Sequence, residues 1–495
     1  MQKRGLTLIE MLAAITIISI IILLIVPSII SFVNTRYHEI AQTEEKLINA
    51  AVELYIEQNA RKYPLNNGDT YCFLIEDLVQ DNFINVNLIE NSRKFELSDI
   101  LQVEVSLNKI LDIHVNQNCQ EVLATELYHD DSGATRPLLS DNLIPIVNSE
   151  SGFVKANLNE QWYDYDNRQW ANAVLIKEAA LEDYLGNYGM LIADEDVLGY
   201  FVWIPRYRYQ LFNTLGESVI EETIAIKFEV VRSAQARGDE NDMWLTHPAF
   251  IFGDLNLKGF WIGKYTTTGS LENPSVLPNE TMLLNNDLAD NYLTAINFKD
   301  HVNVFNARLA RNLEWGAVAL LSRSIYGNEN VVWNNPNDSY TTGCAGNSHN
   351  ASSGIVCNPF DSSEGVNAST TGNVYGVYDM SGGAFESVMN AMYDLTKTVL
   401  LIGSSNLDNI NQIGEKYIDK YEFGITSDDS SAYERRILGD ATSETRGWDG
   451  SNQVFITDDN PFFLRGGDIN NSGIFSFDNS AGNITSGFRL ILSEE

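Results

Sequence analysis

The chain has 495 residues with 67 acidic and 32 basic side chains, which give a formal net charge of −35 at pH 7. This length allows about two to four domains. So negative a chain argues against direct nucleic-acid binding, which needs basic patches. The negative charge is consistent with a surface protein that is kept apart from anionic cell envelopes by electrostatic repulsion. It is equally consistent with a charge that only keeps the protein soluble.

The N-terminal residues combine a short basic leader with a long apolar run. The leader ends at Gly5, and the apolar run extends over residues 6–33, interrupted by Glu10 near its start and by Pro27. Roughly twenty consecutive apolar residues can cross a bilayer as a helix, with the basic leader on the cytoplasmic side. Because the candidate cleavage point precedes the apolar run, processing would keep the hydrophobic helix.

Residues 5–10, Gly-Leu-Thr-Leu-Ile-Glu, resemble the type IV prepilin leader. The resemblance implies that a prepilin peptidase cuts after Gly5, that Leu6 is methylated, and that Glu10 registers the subunit against other pilin subunits. A carboxylate inside a membrane helix needs a partner, and the amine of a neighbouring Leu6 would supply one. The expected location is the inner or cytoplasmic membrane before assembly and the cell-surface pilus afterwards. The alternative is a plain signal anchor with Glu10 at the headgroup level.

Beyond the proline, apolar residues recur at three- and four-residue spacing, which predicts one long helix over residues 6–63. Residues 64–122 contain alternating runs at 101–105 and 110–115 that are typical of strands. A long helix packed on a small antiparallel sheet resembles a pilin head. The apolar stripe of the helix comprises Val33, Tyr37, Ile40, Leu47, Ile48, Ala51, Leu54 and Tyr55.

The four cysteines fall into two sequence-local pairs, Cys72 with Cys119 and Cys344 with Cys357. Outside the membrane, two disulfides are the natural interpretation. The first would stabilise a sheet too small to supply a large core. A zinc site would need closer spacing and histidine partners, and the six histidines are scattered.

Three segments follow the predicted pilin head. Residues 123–137 are polar and turn-rich, which indicates a linker. Residues 138–197 form an aromatic lead-in segment, and residues 198–495 form a loop-rich domain. The predicted elements of that domain are strands at 200–205 and 259–265 and a helix at 304–322.

Four stretches of the C-terminal domain stand in a fixed order. They are Phe260–Thr266, Asn306–Ala319 with its Glu-Trp pair, Gly372–Glu386, and the closing Arg465-Gly-Gly and Gly487-Phe-Arg489. In order and spacing they resemble the sulfatase-modifying-factor superfamily, the formylglycine-generating-enzyme fold, which is a variant of the C-type lectin fold. The predicted fold class is therefore α+β: a long pilin helix with a small antiparallel sheet, followed by a loop-rich C-type-lectin-like α+β domain.

The enzymes of that superfamily use reactive cysteines just after the Arg-Gly-Gly turn, or a histidine cluster that binds iron. Residues 468–477 contain no cysteine, and His247, His301 and His349 lack ligand spacing. We therefore expect no catalytic residues and a non-catalytic binding module.

Glu386 matches a position at which the superfamily binds calcium, the one cofactor that the resemblance suggests. The neighbouring family Asn is Gly383 here, so one side-chain oxygen is missing from the six to eight that calcium takes. The alternative is that Glu386 forms a cap or a salt bridge within the fold.

The segment between Arg465 and Arg489, here called the closing segment, is rich in amide and carboxylate side chains interleaved with phenylalanine. In lectin-like folds this region forms an exposed ligand face on a rigid scaffold. It resembles the variable region of lectin-fold proteins that retroelements diversify, although an ordinary polar loop is the alternative. The predicted ligand-binding residues are Asp468, Asn470, Asn471, Phe475, Phe477, Asp478 and Asn479.

The predicted function is a type IV pilin-like subunit, minor or at the tip, that displays an adhesion domain for an extracellular glycan or protein. A large domain would crowd a filament lattice, which disfavours the major subunit. Two alternatives stay open: a pseudopilin of a secretion system, and an enzyme of the formylglycine-generating type.

Overall fold

The computed structural model describes residues 43–119 and 128–494, with gaps in both ranges. The chain divides into two compact units, residues 1–125 and residues 126–495. Helices and antiparallel sheets both occur in the described part, which confirms the mixed α+β class. The gaps are residues 58, 60–62, 64, 66–67, 81–82, 91, 93, 107–108, 185–186, 230–242, 253–254, 285, 303–304, 329, 353, 355–356, 394–412, 415, 423–436, 449–451 and 483–485.

The first unit packs a helix on a three-stranded antiparallel sheet of order β1-β2-β3. Residues on β2 alternate between buried and half-buried, as expected for a strand with one face on a core. The predicted strands at 101–105 and 110–115 are confirmed as β2 and β3. The elements are helix α1 (residues 43–57), β1 (Thr70–Leu74), helix α2 (Ile75–Gln80), helix α3 (Val86–Glu90), β2 (Ile100–Ser106) and β3 (Lys109–Val115).

The face of α1 that is buried is narrower than the predicted stripe. Ile48, Val52 and Ile56, spaced by four residues, are at most 2% exposed and pack in one cluster with the sheet. Leu47 and Leu54 are 53% and 44% exposed, so their predicted place in the buried stripe is wrong. Successive helical residues lie about 100° apart, which places these two leucines on the opposite side of the helix from the buried row.

In the second unit the elements follow one another in short pieces. The strands are β4 (Leu143–Ser149), β5 (Gly152–Lys155), β6 (Asn172–Ile176), β7 (Val197–Pro205), β8 (Tyr207–Gln210), β9 (Ile226–Phe228), β10 (Trp244–Thr246), β11 (Ile251–Phe252), β12 (Leu255–Asn256), β13 (Gly259–Gly263), β14 (Thr268–Gly269), β15 (Pro274–Ser275), β16 (Asn306–Leu309), β17 (Glu386–Ser387), β18 (Asn390–Tyr393), β19 (Asp419–Glu422), β20 (Phe462–Arg465), β21 (Phe477–Ser480), β22 (Gly487–Phe488) and β23 (Leu490–Ser493). The helices are α4 (Leu181–Tyr184), α5 (Leu288–Asn297) and α6 (Asn312–Ser322), with 3₁₀ turns at Glu178–Ala180, Asp194–Asp196, Pro248–Phe250, Phe298–His301 and Gly365–Ala368.

A seven-stranded antiparallel sheet organises this unit, in the order β16-β23-β13-β7-β6-β4-β5. The predicted strands at 200–205 and 259–265 correspond to β7 and β13, which pair with Trp203 opposite Trp261. The lead-in segment 138–197 supplies β4, β5 and β6, so it belongs to the main sheet. Central strands β6, β7 and β13 are buried almost throughout, because both faces of the sheet are covered.

The helix predicted over residues 304–322 begins later, at Asn312. Residues 306–309 form strand β16, paired with β23, so the predicted start is wrong. Every residue of α6 is buried. A helix that is surrounded by protein loses the one-sided apolar pattern that would have marked its beginning.

Candidate functional site

The closing segment lies in a four-stranded sheet of order β21-β20-β17-β22. Strand β20 ends at Arg465, and the chain then turns through Gly466 and Gly467, whose φ angles are +82° and +73°. A Cβ atom on Gly467 would lie 1.8 Å from the carbonyl oxygen of Asn471, so only glycine fits this turn. The turn sends residues 468–472 outward as a loop before the chain returns as β21.

Three of the predicted ligand-binding residues form this loop. The Oδ1 atom of Asp468 accepts hydrogen bonds from the backbone N–H groups of Asn470 and Asn471, at 2.8 Å each. Both asparagine side chains are exposed, and Asp468 is half-buried. A carboxylate that fixes its own loop in this way presents the two amides in one conformation.

The two phenylalanines of the predicted face lie in the core instead. Phe475 and Phe477 are both 0% exposed. The ring of Phe475 packs edge-on against Trp448 at 5.2 Å, and the ring of Phe477 packs against Phe463 at 5.8 Å. Their inclusion in a solvent-exposed face is therefore wrong: the chain passes through the core over residues 473–477, where every residue is buried, and both rings pack against other aromatic side chains.

Asp478 and Asn479 are half-buried and hold β21 to a neighbouring segment. Asp478 accepts a hydrogen bond from the amide of Asn452 at 2.8 Å. Asn479 donates to the carbonyl of Phe455 at 2.7 Å. These contacts assign both side chains a structural role and, among the described residues of the closing segment, leave residues 468–472 as the exposed polar part.

Glu386 forms a buried ion pair. Its Oε1 atom accepts hydrogen bonds from Arg489 Nη2 and from the Thr266 hydroxyl, both at 2.6 Å, and its Oε2 atom accepts from Arg489 Nε at 3.0 Å. Glu386 is 1% exposed and Arg489 is 0% exposed. A calcium ion at this carboxylate would have to displace the guanidinium, so the geometry matches the salt-bridge alternative.

A second set of charges lies around the start of α6. Arg308 pairs with Glu314 at 2.5 Å, and Arg311 pairs with Asp419 at 2.8 Å. Burial raises the pKa of Asp419 to about 6, against the opposing effect of Arg311. Arg465 has no carboxylate within ion-pair distance among the described residues and donates to carbonyl and amide oxygens, and burial lowers its pKa to about 10.

The structural role of Lys264 was not predicted, although this residue lies in the Phe260–Thr266 stretch and holds two distant segments together. Lys264 is fully buried, and its Nζ donates to the Asn172 amide oxygen at 2.7 Å and to the carbonyls of Val374 and Gly376 at 2.5 and 3.0 Å. Burial lowers the pKa of Lys264 well below its usual value. Three oxygen acceptors match the three donors of an ammonium group, which makes this lysine a structural tie between the sheet and the 372–386 segment.

The cysteines and the buried histidine are also engaged. Cys72 pairs with Cys119, and Cys344 pairs with Cys357. His247 bonds through Nε2 to the carbonyl of Gly439 and accepts at Nδ1 from a backbone N–H, while burial lowers its pKa to about 3. In the residues that the structure describes, no group of three or more histidine, cysteine or carboxylate side chains is placed to hold a metal ion.

The N-terminal residues match a known family. Residues 1–26 match the model of the prokaryotic N-terminal methylation motif. The chain has a type IV pilin-like N-terminus. The search of curated proteins gave no match.

This pilin-like N-terminus indicates a membrane-anchored pilin or pseudopilin that a peptidase processes and that assembles with other subunits. The predicted processing residues Gly5, Leu6 and Glu10 fall within the matched range and outside the described residues. Among the helices of the described chain, none combines the length and apolar character needed to span a membrane.

Proposed function

We propose that this pilin-like protein is a minor or tip subunit that displays a non-catalytic, lectin-fold ligand-binding domain on the cell surface. The matched methylation motif and the helix-on-sheet first unit support the assembly half of this proposal. The second unit, residues 126–495, would be the adhesion domain.

One observation supports the lectin-fold part of the proposal. The sequence motifs that suggested the superfamily lie next to one another in the structure, around Glu386. Glu386 pairs in backbone register with Arg465 on one side and with Gly487 on the other. The Arg465 and Arg489 guanidinium groups lie 5.7 and 5.9 Å from the ring of Trp315. Motifs that matched the superfamily by chance, over more than two hundred residues, would not be expected to pack together. Their contact in the structure therefore supports the resemblance to the superfamily.

The state of the polar groups supports a binding role over a catalytic one. Charged groups near the convergence have internal partners: Glu386 pairs with Arg489, Arg311 pairs with Asp419, and Arg465 donates to amide and carbonyl oxygens. A general acid, base or nucleophile must be able to reach substrate. Groups held by two or three internal partners are suited to fixing a scaffold that supports surface loops.

Within this proposal, the exposed loop of residues 468–472 is the ligand surface. Its two amides, Asn470 and Asn471, can each donate and accept hydrogen bonds, which suits a glycan or a polar protein epitope. The loop stands on β20 and β21, whose other residues are buried or bonded to neighbouring segments. Rigid support beneath a polar loop is the usual arrangement of a binding surface.

The binding half is tested with the full-length protein in detergent on arrays of surface glycans and proteins. We expect binding that falls when Asn470 and Asn471 are both changed to alanine. Asn159→Ala, which also removes an exposed loop amide, is the matched control and should bind normally. Undiminished binding by the double variant would exclude this loop, whereas bound copper or iron with turnover of a substrate would favour the enzyme alternative.

The assembly half is tested in cells by Gly5→Leu, which replaces the small residue at the cleavage point by a large one. We expect the variant to keep its leader and to be missing from sheared surface filaments. Deletion of the whole chain separates the two assembly systems. Normal filaments combined with a loss of secreted proteins would favour the pseudopilin alternative.

A further inference from the structure

Two surface loops of the second unit carry the tripeptide Asn-x-Ser/Thr, the acceptor pattern of Asn-linked glycosylation. They are Asn279-Glu-Thr281 and Asn350-Ala-Ser352. In both loops the asparagine and the hydroxyl residue are exposed. A transferase that acts on the folded chain has to reach the amide that it modifies and the hydroxyl that it recognises, so exposure of both groups is the first requirement.

The first loop is held through the backbone of its middle residue. The N–H of Glu280 donates to the Thr342 hydroxyl at 3.2 Å, and the carbonyl of Glu280 accepts from the backbone N–H of Thr342 at 2.8 Å. Asn279 has a φ angle of +59°, a left-handed conformation in which asparagine is enriched. Within the described chain, no hydrogen bond engages the side-chain amide of Asn279, so its Nδ2 atom is open to solvent.

The second loop lies within the segment that the Cys344–Cys357 disulfide closes. Its middle residue, Ala351, is 6% exposed, and the carbonyl of Ala351 accepts a hydrogen bond from the Asn334 amide at 2.8 Å. Because this small residue is anchored, the asparagine and the serine on either side of it lie at the surface. Among the described residues, the side-chain amide of Asn350 has no hydrogen-bond partner either.

The other copies of the pattern in the described chain are less accessible. Asn337 is half-buried, and Ser472, the hydroxyl residue that follows Asn470, is half-buried as well. Ser369, the hydroxyl residue that follows Asn367, is 0% exposed. Accessibility of both the amide and the hydroxyl therefore separates the two exposed loops from these three copies.

Asn-linked glycosylation modifies surface loops of exported proteins, and two observations fit export of the second unit. The N-terminus of the chain indicates a membrane-anchored pilin or pseudopilin. The disulfide around the second loop fits an oxidising compartment outside the cytoplasm. Both acceptor loops belong to the second unit, so a transferase on the exported side of the membrane would meet them together.

We propose that Asn279 and Asn350 are acceptors for Asn-linked glycans, which are transferred from a lipid diphosphate-linked oligosaccharide. The Nδ2 atom of the asparagine forms a bond to the anomeric carbon of the first sugar, and the bond from that carbon to the diphosphate oxygen breaks. A base of the transferase takes one amide proton, and the lipid diphosphate leaves. The modification requires export of the second unit and does not depend on ligand binding by the closing segment.

The test is mass spectrometry of peptides from the full-length protein, purified in detergent from the cells that produce it naturally. Electron-transfer fragmentation leaves a glycan on its residue, and we expect peptides with Asn279 or Asn350 to be heavier by whole sugar residues. Two exposed asparagines are internal controls and should be unmodified. Asn347 lacks a hydroxyl residue two positions later, and Asn273 is followed by Pro274, which the acceptor pattern excludes.

Variants at exposed positions test whether the tripeptide itself is recognised. Ser352→Ala keeps the asparagine and removes only the hydroxyl, so the sugar should be lost completely from Asn350. His349→Thr added to that variant creates the pattern at Asn347, and we expect the sugar to move to Asn347. Thr281→Ala should remove the sugar from the first loop in the same way.

Unmodified asparagines at both positions of the wild-type protein would overturn the proposal, and so would sugar attached to serine or threonine in these peptides. Sugar on one loop alone would overturn the assignment of the other loop. Sugar that persists at Asn350 in Ser352→Ala would equally contradict recognition of the tripeptide. Each of these results would leave the adhesion function standing, because that function is tested by binding.

Discussion

The buried pair of Glu386 and Arg489 allows a quantitative test of how the second unit is held together. Arg489→Met removes the guanidinium and, among the described residues, leaves the Glu386 carboxylate with only the Thr266 hydroxyl as a hydrogen-bond partner. Removing one member of a buried pair costs about 3–5 kcal/mol, because the other charge stays desolvated and unpaired. Both side chains are at most 1% exposed, so the unpaired carboxylate would lie away from bulk water. We therefore expect the free energy of unfolding to fall by about 3–5 kcal/mol.

Tryptophan fluorescence during denaturant unfolding measures this loss in the second unit alone. All eight tryptophans of the chain lie between residues 162 and 448, so the first unit does not contribute. Glu386→Gln combined with Arg489→Met is the control, since it removes both charges together. We expect the double variant to recover at least about 1 kcal/mol relative to Arg489→Met. A loss below about 1 kcal/mol in Arg489→Met would refute the reasoning.

The same assay separates the ion pair from calcium binding. If the pair is structural, neither calcium nor a chelator should move the unfolding midpoint of the wild-type protein. A ligand that binds only the folded state raises stability with its concentration. Stabilisation by calcium that disappears in Glu386→Gln would show that the carboxylate binds the ion.

Three further predictions concern pH, the first disulfide and the glycine turn. Burial raises the folded-state pKa of Asp379 from 3.8 to about 6. Its contribution to the unfolding free energy should therefore decrease as pH rises from about 4 through about 6. Asp379→Asn should flatten that part of the pH profile of stability, measured by denaturant unfolding. Replacing Cys72 and Cys119 by serine should destabilise the first unit by about 4 kcal/mol, from the 47-residue separation, seen as faster proteolysis with unchanged tryptophan fluorescence. Gly467→Ala should cost more than about 1 kcal/mol in the fluorescence assay, because its Cβ would meet the carbonyl of Asn471.

The sequence was most informative where the structure depends on local patterns. Alternation over 101–105 and 110–115 identified two strands, and sequence proximity identified both cysteine pairs. A period-two pattern with one face on a core is set by residues within a few positions of each other, so it can be read without knowing the partner.

Long-range partners could not be predicted in the same way. Arg489 finds Glu386 more than a hundred residues away, and Lys264 finds Asn172 at a separation of 92. The sequence does not distinguish a buried basic residue from an exposed one. Whether such a residue is buried depends on which hydrogen-bond acceptors the fold places around it. The same limit holds for Arg168, Asn330 and Trp333, which line one recess only after their three loops have packed.

The closing segment contains some positions at which the fold requires a particular residue and others at which substitution should be tolerated. Arg465 and Gly467 determine how the chain leaves β20, and Phe475 and Phe477 anchor its return in the core. Substitution at these four positions should disturb packing before it alters recognition. Within the described chain, the exposed side-chain amides of Asn470 and Asn471 form no hydrogen bond with a core residue, so these two positions can change with little effect on stability. A loop bounded in this way can acquire new ligand preferences on an unchanged scaffold, which is the physical condition that a diversified binding surface requires.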